Sequence, residues 1–421
     1  LELKAPRGTV DILPEQTGKW DFLLSVAQIV FERYGYRRIE TPIFERTELF
    51  SRAIGETTDI VQKEMYSFKD RAGRDLTLRP EETAPVVRSY IEHKLYKQSP
   101  LLKLYYWGPM FRYERPQAGR YRQFVQLGVE ALGSDDPALD AEVIELLIRY
   151  LEELKLSDTR LHLNSVGDNV CRPRYVKVLR NYLREQLNEF CSDCKKRAEV
   201  NPMRVFDCKN ERCQTEIRKA PRVSDYLCDA CQEHFMQVQA ALKEIDIDFV
   251  LDPQLVRGLD YYTRTAFEAK SLRLGAQDAV GAGGRYDFLV EQYGGPPTPA
   301  IGFAIGLERV LLALEKEEVE IPFRKGLDFF FATLGDNTRP TAMRLLSMLR
   351  RKGFSGDLDY TGRSLKGQMR LADKLGAAYS LIIGQEELSK KTITARNMKT
   401  GEQENIKWEK IAEWLGKKRN L

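Results

Sequence analysis

The sequence predicts an α+β protein, and three observations carry that reading. Two extended runs, 101–115 and 121–132, are joined by "PQAGR", which suits the tip of an antiparallel hairpin. Residues 172–245 are rich in charge and helix formers and hold six of the seven cysteines, which reads as a helical insertion. Beyond residue 326, strand-like runs alternate with helical ones, the pattern of a small α/β domain.

The elements follow in order. Residues 17–35 have the spacing of an amphipathic helix, and "RRIETPIFERTELF" leads from it into strand and loop. "DLTLR" (75–79) reads as a short strand, 83–96 as a helix, and 138–155 as a helix after the hairpin. Past the insertion, strand signal returns over 247–268 and 300–305, followed by a helix over 306–317. "EKEEVEIPFRKG" (315–326) reads as a linker. The last part alternates strands at 327–333 and 379–383 with helices at 338–352 and 364–376. The expected domains are therefore 1–325, interrupted by 172–245, and 326–421.

Composition narrows the function classes. A chain of 421 residues with 43% hydrophobic and 30% charged residues has the balance of a soluble globular protein of two or three domains. No apolar run approaches the roughly 20 residues of a membrane helix, and "LELKAPRGTVDILP" has no signal-peptide core. A cytoplasmic location with reduced cysteines is the expectation. Charge is uneven: 18 Lys+Arg against 11 Asp+Glu leave +7 over 327–421, while 48 against 51 leave −3 elsewhere. A basic module on a near-neutral body points to a polyanionic partner.

Side chains alternate across a strand. One face of the first hairpin run carries Tyr106, Gly108, Met110, Arg112 and Glu114; one face of the return carries Phe124, Gln126, Gly128 and Glu130. The opposite face of the return is apolar, with Val125, Leu127 and Val129. Polar groups spaced around two glycines suit a pocket, with the glycines leaving room for a ligand. In "RGLDYYTRTAFE" (257–268), alternation puts Asp260, Tyr262 and Arg264 on one face, with Arg257 at the entry. Arg309 falls in the first turn of a helix, where an anion offsets its charge. Three arginines (112, 257, 309) on polar, glycine-lined segments suit bidentate phosphate contacts, and a nucleoside triphosphate is the economical ligand. No Walker A motif is present.

Six stretches in this order, "ETPIFE" (40–45), "TLRPEETA" (77–84), "GPMFRYERPQAGRYRQFVQLGVEALG" (108–133), "RGLDYYTRTAFE", "GAGGRYD" (281–287) and "GFAIGLERVLLAL" (302–314), resemble the bacterial histidyl-tRNA synthetases, class II aminoacyl-tRNA synthetases, over essentially the whole chain. The resemblance implies a class II antiparallel-sheet catalytic domain with a helical insertion, a C-terminal α/β anticodon-binding domain, and a homodimer joined around Pro42. It implies a ligase that uses ATP with Mg2+ to make histidyl-adenylate and then charges tRNA(His). Arg112 and Arg257 would be the catalytic contacts to the α-phosphate. Glu114 would sit on the adenine side and Arg309 on the γ-phosphate. Glu81, Thr83 and Gln126 would hold the α-amino group, with Glu130, Tyr261 and Tyr262 around the imidazole. Arg115, Gln117 and Arg120 at the hairpin tip would meet the tRNA acceptor end. Four positions depart from the family pattern: Glu82, Pro85, Ala282 and Phe288. Glu82 either adds a carboxylate to the amino-holding loop or points outward. His93, His162 and His234 fall outside these stretches and read as structural or surface residues.

A rival reading is a synthetase-like regulatory paralogue, of the kind that accompanies ATP phosphoribosyltransferase. Such proteins typically lack the anticodon domain and parts of these motifs, whereas this chain keeps the three arginines and a basic C-terminal module. Within the insertion, C-x2-C pairs at Cys191/Cys194 and Cys228/Cys231 flank Cys208 and Cys213. The paired spacing suits a structural zinc on Cys191, Cys194, Cys228 and Cys231; reduced, partly buried thiols are the alternative.

Overall fold

The computed structural model describes residues 3–419 apart from 56, 57, 59, 276, 277 and 323–325. The chain divides into two compact units, Leu1–Pro322 and Phe323–Leu421. Residues 323–325 of the expected linker lie outside the described residues, and the linker's first two residues end a helix.

In the first unit, helix α1 (Pro14–Arg33) leads to strand β1 (Arg37–Arg38). A small sheet follows: β2 (Phe44–Arg46), β3 (Tyr66–Lys69) and, between them, β4 (Asp75–Leu78), with α2 (Thr47–Ile54) after β2. Helix α3 (Thr83–Glu92) precedes the hairpin β5 (Leu102–Phe111) and β6 (Gln123–Leu132), and α4 (Pro137–Glu153) and β7 (Thr159–Ser165) follow it. The insertion is helical, with α5 (Arg172–Glu185), α6 (Ser192–Val200), α7 (Glu211–Ile217) and α8 (Asp229–Glu244). Then come β8 (Val250–Leu251), β9 (Thr263–Ser271), β10 (Ala279–Arg285), α9 (Leu289–Gln292), β11 (Ala300–Gly306) and α10 (Leu307–Lys316). Eight strands form one sheet in the order β1-β5-β6-β11-β10-β9-β7-β8, antiparallel except at its two ends.

The hairpin alternation sets what this sheet does. Leu127 and Val129 are fully buried on one face with Phe31 of α1 and Val143, Ile144 and Leu147 of α4. Burying each such side chain contributes about 1.5–3 kcal/mol. Helix α4 starts where Pro137 takes the first position and Asp136 Oδ1 accepts the Ala138 amide at 2.9 Å. The opposite face packs Leu104, Met110 and Leu132 in a second core with Val86, Val87 and Tyr90 of α3, and the rest of it lines a cavity.

Two expectations need correction. Strand signal over 247–268 is not one strand: only Val250–Leu251 and Thr263–Ser271 are extended, and a turn occupies 258–261. Strand β10 runs into "GAGGRYD" although glycines are poor strand formers, so the sequence carries no strand signal there. Here they are small for packing: a Cβ on Gly283 would meet Phe267 at 2.6 Å and Phe303 at 2.7 Å. Arg285 of the same motif is structural. Its Nε meets Asp140 Oδ1 at 2.7 Å, both side chains fully buried, and Nη1 meets Asp287 Oδ1 at 3.0 Å. Removing one partner strands a buried charge, so Asp140→Ala should destabilise the fold by about 3–5 kcal/mol. Urea unfolding of the variant tests this; a change under about 1 kcal/mol would show the pair to be dispensable.

The second unit has five strands: β12 (Phe329–Thr333), β13 (Gly356–Leu358), β14 (Tyr379–Ile383), β15 (Thr392–Asn397) and β16 (Gln403–Lys407). β12 lies between β13 and β14, parallel to both, and β15 and β16 extend the sheet antiparallel. Helices α11 (Arg339–Arg351) and α12 (Leu365–Lys374) make the crossovers that parallel pairing requires. α13 (Gln385–Lys390) and α14 (Ile411–Arg419) complete it. Among the described residues no helix is long and apolar enough to cross a membrane.

Candidate active site

A cavity of about 270 Å³ opens on the face of the large sheet away from α1 and α4. Its polar lining is divided. One part is buried and rich in carboxylates and hydroxyls; the other is only partly buried and rich in arginine.

Glu130 on β6 anchors the buried part. Its Oε1 accepts from Thr83 Oγ1 at 2.7 Å and from the Tyr106 hydroxyl at 3.3 Å, and its Oε2 accepts from the Tyr286 hydroxyl. Burial drives the Glu130 carboxyl up to about 8, against the pull of these donors, and the nearby Glu81 charge adds to the rise. Gly302, paired with Glu130 across β11 and β6, is obligatory here, since a Cβ would collide with Glu130 Oε2. Glu81 accepts the first-turn amides of α3, Thr83 N at 2.7 Å and Ala84 N at 3.0 Å. Burial raises its carboxyl as well. Tyr261 and Tyr262 both line the cavity, with ring centres 4.8 Å apart. Gln126 Oε1 is buried without a hydrogen-bond partner among the described residues. Such an acceptor is costly unless a ligand supplies an N–H or O–H.

Arg112, Arg257 and Arg309 line the other part together with Glu114, Arg120 and Glu268. Arg112 Nε donates to the Pro80 carbonyl at 2.9 Å, and its guanidinium lies 5.3 Å from the centre of the Phe124 ring. Arg257 Nη1 meets Glu268 Oε1 at 2.5 Å, with the guanidinium 5.4 Å from the centre of the Tyr262 ring. Arg309, in the first turn of α10, donates to the Ala279 carbonyl at 2.8 Å. Burial lowers its guanidinium, and the neighbouring Arg120 and Arg112 charges lower it further, with Glu114 opposing. Arginines that disfavour one another's charge favour an anion among them.

The thirteen site residues predicted from sequence therefore divide. Glu81, Thr83, Arg112, Glu114, Gln126, Glu130, Arg257, Tyr261, Tyr262 and Arg309 share this cavity. Of the three expected at the acceptor end, Arg120 turns inward and pairs with Glu114 at 2.7 Å, while Arg115 and Gln117 stay exposed on the tip. Sequence reasoning missed Glu268, the partner of Arg257, although two more steps of alternation from Arg264 reach it. It also missed the roles of Tyr106 and Tyr286 as Glu130 donors.

Other readings change. Gly108 and Gly128 do make room, but for protein: a Cβ would collide with the Arg79 guanidinium at Gly108 and with the Tyr106 hydroxyl at Gly128. Asp260 faces the insertion, accepting from Asn201 Nδ2 at 3.0 Å, because the turn at 258–261 breaks the alternation. Glu82 neither joins the cavity nor points outward. It is buried on Arg79 (2.7 Å) and Thr41 Oγ1 (2.6 Å). Pro85 sits in the first turn of α3, where a missing N–H costs little, and Ala282 lines the cavity. None of the three histidines lines it: His93 is exposed, His162 pairs with Asp252 at 3.0 Å, and His234 is buried beside Asp140.

The zinc set expected from the two C-x2-C pairs is overturned. Cys191 and Cys194 gather with Cys208 and Cys213, whereas Cys228 and Cys231 gather with Cys171 and Asp168. Spacing along the chain showed two ligand pairs but not which loops bring them partners.

Comparison with known proteins follows this geometry closely. The family model described as "Histidyl-tRNA synthetase" matches residues 8–310, and that described as "Anticodon binding domain" matches 328–418. The chain is 51% identical over 417 residues to the histidine--tRNA ligase of Halothermothrix orenii, covering 99% of this chain and 100% of that one. It is 52% identical over 412 residues to the ligase of Moorella thermoacetica, covering 98% and 97%. The crystal structure of apo S. aureus histidyl-tRNA synthetase superposes with a TM-score of 0.83 at 42% identity, covering 98% of this chain and all of that one.

Proposed function

The chain belongs to the histidyl-tRNA synthetase family and is an ATP-dependent histidine--tRNA ligase, and from that premise we propose how its own residues divide the work. The observation that carries the assignment is the divided cavity: buried acceptors in one part, clustered arginines in the other.

Glu130 and Tyr262 take the two imidazole nitrogens, with Tyr261 packed beside them. Glu81, Thr83 and Gln126 receive the α-ammonium, which supplies the donor that Gln126 Oε1 lacks. The histidine carboxylate then points toward the arginines. It is already ionised, so adenylation needs no general base, and catalysis is positioning plus charge stabilisation. The carboxylate oxygen bonds to the α-phosphorus of ATP while the bond to pyrophosphate breaks. Arg112 and Arg257 hold the α-phosphate oxygens, Arg309 the γ-phosphate, and Glu114 the adenine side. A terminal ribose hydroxyl of tRNA(His) next attacks the acyl carbon and AMP departs. Arg115, Gln117 and Arg120 lie where the hairpin tip would guide that end. Carboxylates suit Mg2+ accompanying the nucleotide, but Glu268 and Glu114 are each engaged by an arginine, so the phosphates would provide most of its ligands. Histidine-dependent ATP–pyrophosphate exchange tests the scheme; exchange equally supported by asparagine or glutamine would refute it.

The basic second unit serves tRNA rather than adenylation. Removing residues 326–421 should leave pyrophosphate exchange largely intact and strongly reduce tRNA charging. An equal fall of both in a folded truncated protein would refute the division.

The protein works as a cytoplasmic homodimer joined around Pro42. Ile43, Phe44 and Phe68 there are about half exposed, apolar surface of the kind that association buries. Sedimentation equilibrium should return twice the chain mass, and Phe44→Glu should return the monomer. A monomeric wild-type protein at micromolar concentration would overturn this. A structural metal in the insertion, redistributed from its expected ligands, is argued next.

A further inference from the structure

We infer that the insertion binds two zinc ions at separate sites. One site is Cys191, Cys194, Cys208 and Cys213; the other is Asp168, Cys171, Cys228 and Cys231.

The seven cysteines of the chain are all free, and every one belongs to one of these two groups. Thiols buried merely as small apolar groups would not sort themselves so completely, nor gather a carboxylate oxygen among three sulfurs. The distances suit one ion in each group. Tetrahedral zinc with Zn–S near 2.3 Å sets its sulfurs about 3.8 Å apart, and an oxygen ligand about 3.5 Å from each sulfur. Cys191 Sγ lies 3.9 Å from Cys208 Sγ, and Cys171 Sγ 3.9 Å from Cys231 Sγ. Asp168 Oδ1 lies 3.4 Å from Cys171 Sγ and 4.0 Å from Cys228 Sγ. These separations are too long for disulfides and shorter than a multi-iron cluster would impose.

Backbone amides aim at the sulfurs as they do around metal-bound thiolates. Cys191 N lies 3.2 Å from Cys213 Sγ, Asn210 N 3.4 Å from Cys208 Sγ, and Asp168 N 3.4 Å from Cys171 Sγ. Gly167 makes the second site possible, because φ of +66° bends the loop and a Cβ there would sit 2.7 Å from Cys171 Sγ. Asp168 Oδ1 also accepts the Val170 and Cys171 amides at 2.9 and 3.2 Å, which orients it toward the sulfurs.

The sites have different jobs. The first lies wholly within the insertion, joining the start of α6 to the loop before α7 and to α7 itself. These short elements share a core of few residues, the situation in which a metal contributes most to folding. The second joins the insertion's entry and exit, since Cys171 precedes α5 and Cys228 precedes α8. Next to Cys171, Arg172 donates to the carbonyls of Val166 (3.1 Å), Gly167 (2.9 Å) and Tyr262. The second ion therefore fixes the residue that holds the backbone of Tyr262. Each ion displaces the thiol protons of its cysteines to solvent on binding.

Elemental analysis of tag-free protein purified in reductant should give two zinc per chain. The zinc-edge absorption spectrum should fit seven sulfurs and one oxygen shared over two ions. Cys191→Ser/Cys194→Ser and Cys228→Ser/Cys231→Ser should each retain one zinc. Titrating wild-type thiols with an organomercurial should release both ions, which keeps the count testable if a variant fails to fold. Asp168→Asn should weaken histidine binding roughly tenfold, whereas the Cys191/Cys194 variant should bind histidine normally and lose protease resistance over 190–215. The histidine readout rests on the role given to Tyr262; the metal count does not. No metal, one ion per chain, or iron in place of zinc would overturn the inference, and equal loss of histidine binding in both variants would overturn the division of labour.

Discussion

Glu130→Ala should lower kcat/KM for histidine-dependent pyrophosphate exchange by about 10⁴-fold, the scale on which a buried polar site discriminates when one partner is lost. The carboxylate meets the imidazole, and its removal also orphans Thr83 Oγ1 and the hydroxyls of Tyr106 and Tyr286, all directed at it. Glu130→Gln keeps the volume but cannot ionise opposite the bound imidazole. It should cost roughly 10- to 100-fold, equivalent to the 1.5–3 kcal/mol of a charged hydrogen bond. A second readout separates this carboxylate from a merely structural one. Burial holds its proton up to about pH 8, while an unfolded glutamate releases it near 4.5. Folding thus takes up a proton between those values, and the ligand-free protein loses stability as pH rises from about 4.5 through about 8. Below that window both states are protonated and the slope vanishes. Glu130→Gln should flatten the slope while weakening histidine binding. A folded Glu130→Ala protein within tenfold of wild type on histidine would remove Glu130 from the imidazole site.

The features legible in the sequence are those that a short period encodes. Alternation along the hairpin places Arg112, Gln126 and Glu130 toward the cavity and Leu127 and Val129 into the core beneath α1 and α4, because β5 and β6 pair in regular register. Alternation fails at 257–262, where the chain turns, so Tyr261 and Tyr262 face the same cavity and Asp260 leaves it. Arg264, with φ of +47°, continues the irregularity into β9. What stays hidden depends on partners distant in sequence. Glu82 looks like an intruding charge until Arg79 and Thr41 enclose it. Gly108 and Gly128 announce a need for space without saying that Arg79 and Tyr106 fill it. The cysteines advertise metal ligands, but Asp168 and Cys171 lie outside the repeated spacing and join only through the fold.

Arg257 carries the second large effect. It is fixed on three sides: Nη1 against Glu268, the guanidinium over Tyr262, and its carbonyl within 3.4 Å of Arg204 Nη1. Its Nε is buried without a hydrogen-bond partner among the described residues, a donor for an incoming acceptor. A guanidinium so preorganised gains most when charge reorganises on the α-phosphate during attack, and little when histidine binds alone. Arg257→Ala should therefore lower the adenylation rate by about 10²–10³-fold, roughly 3–4 kcal/mol, with histidine affinity nearly unchanged. The loss has two parts, because Glu268 would then face the phosphates with only Lys270 Nζ, 3.9 Å from its Oε2, to offset its charge. Arg257→Ala/Glu268→Gln should accordingly recover part of the rate, while Arg257→Lys recovers little, since an ammonium lacks the planar fork that serves Glu268 and an oxyanion together. Single-turnover adenylate formation at saturating histidine and ATP makes the comparison. A folded Arg257→Ala protein with near-normal turnover would make this arginine a structural counter-ion for Glu268, and the phosphate charge would fall to Arg112 and Arg309 alone.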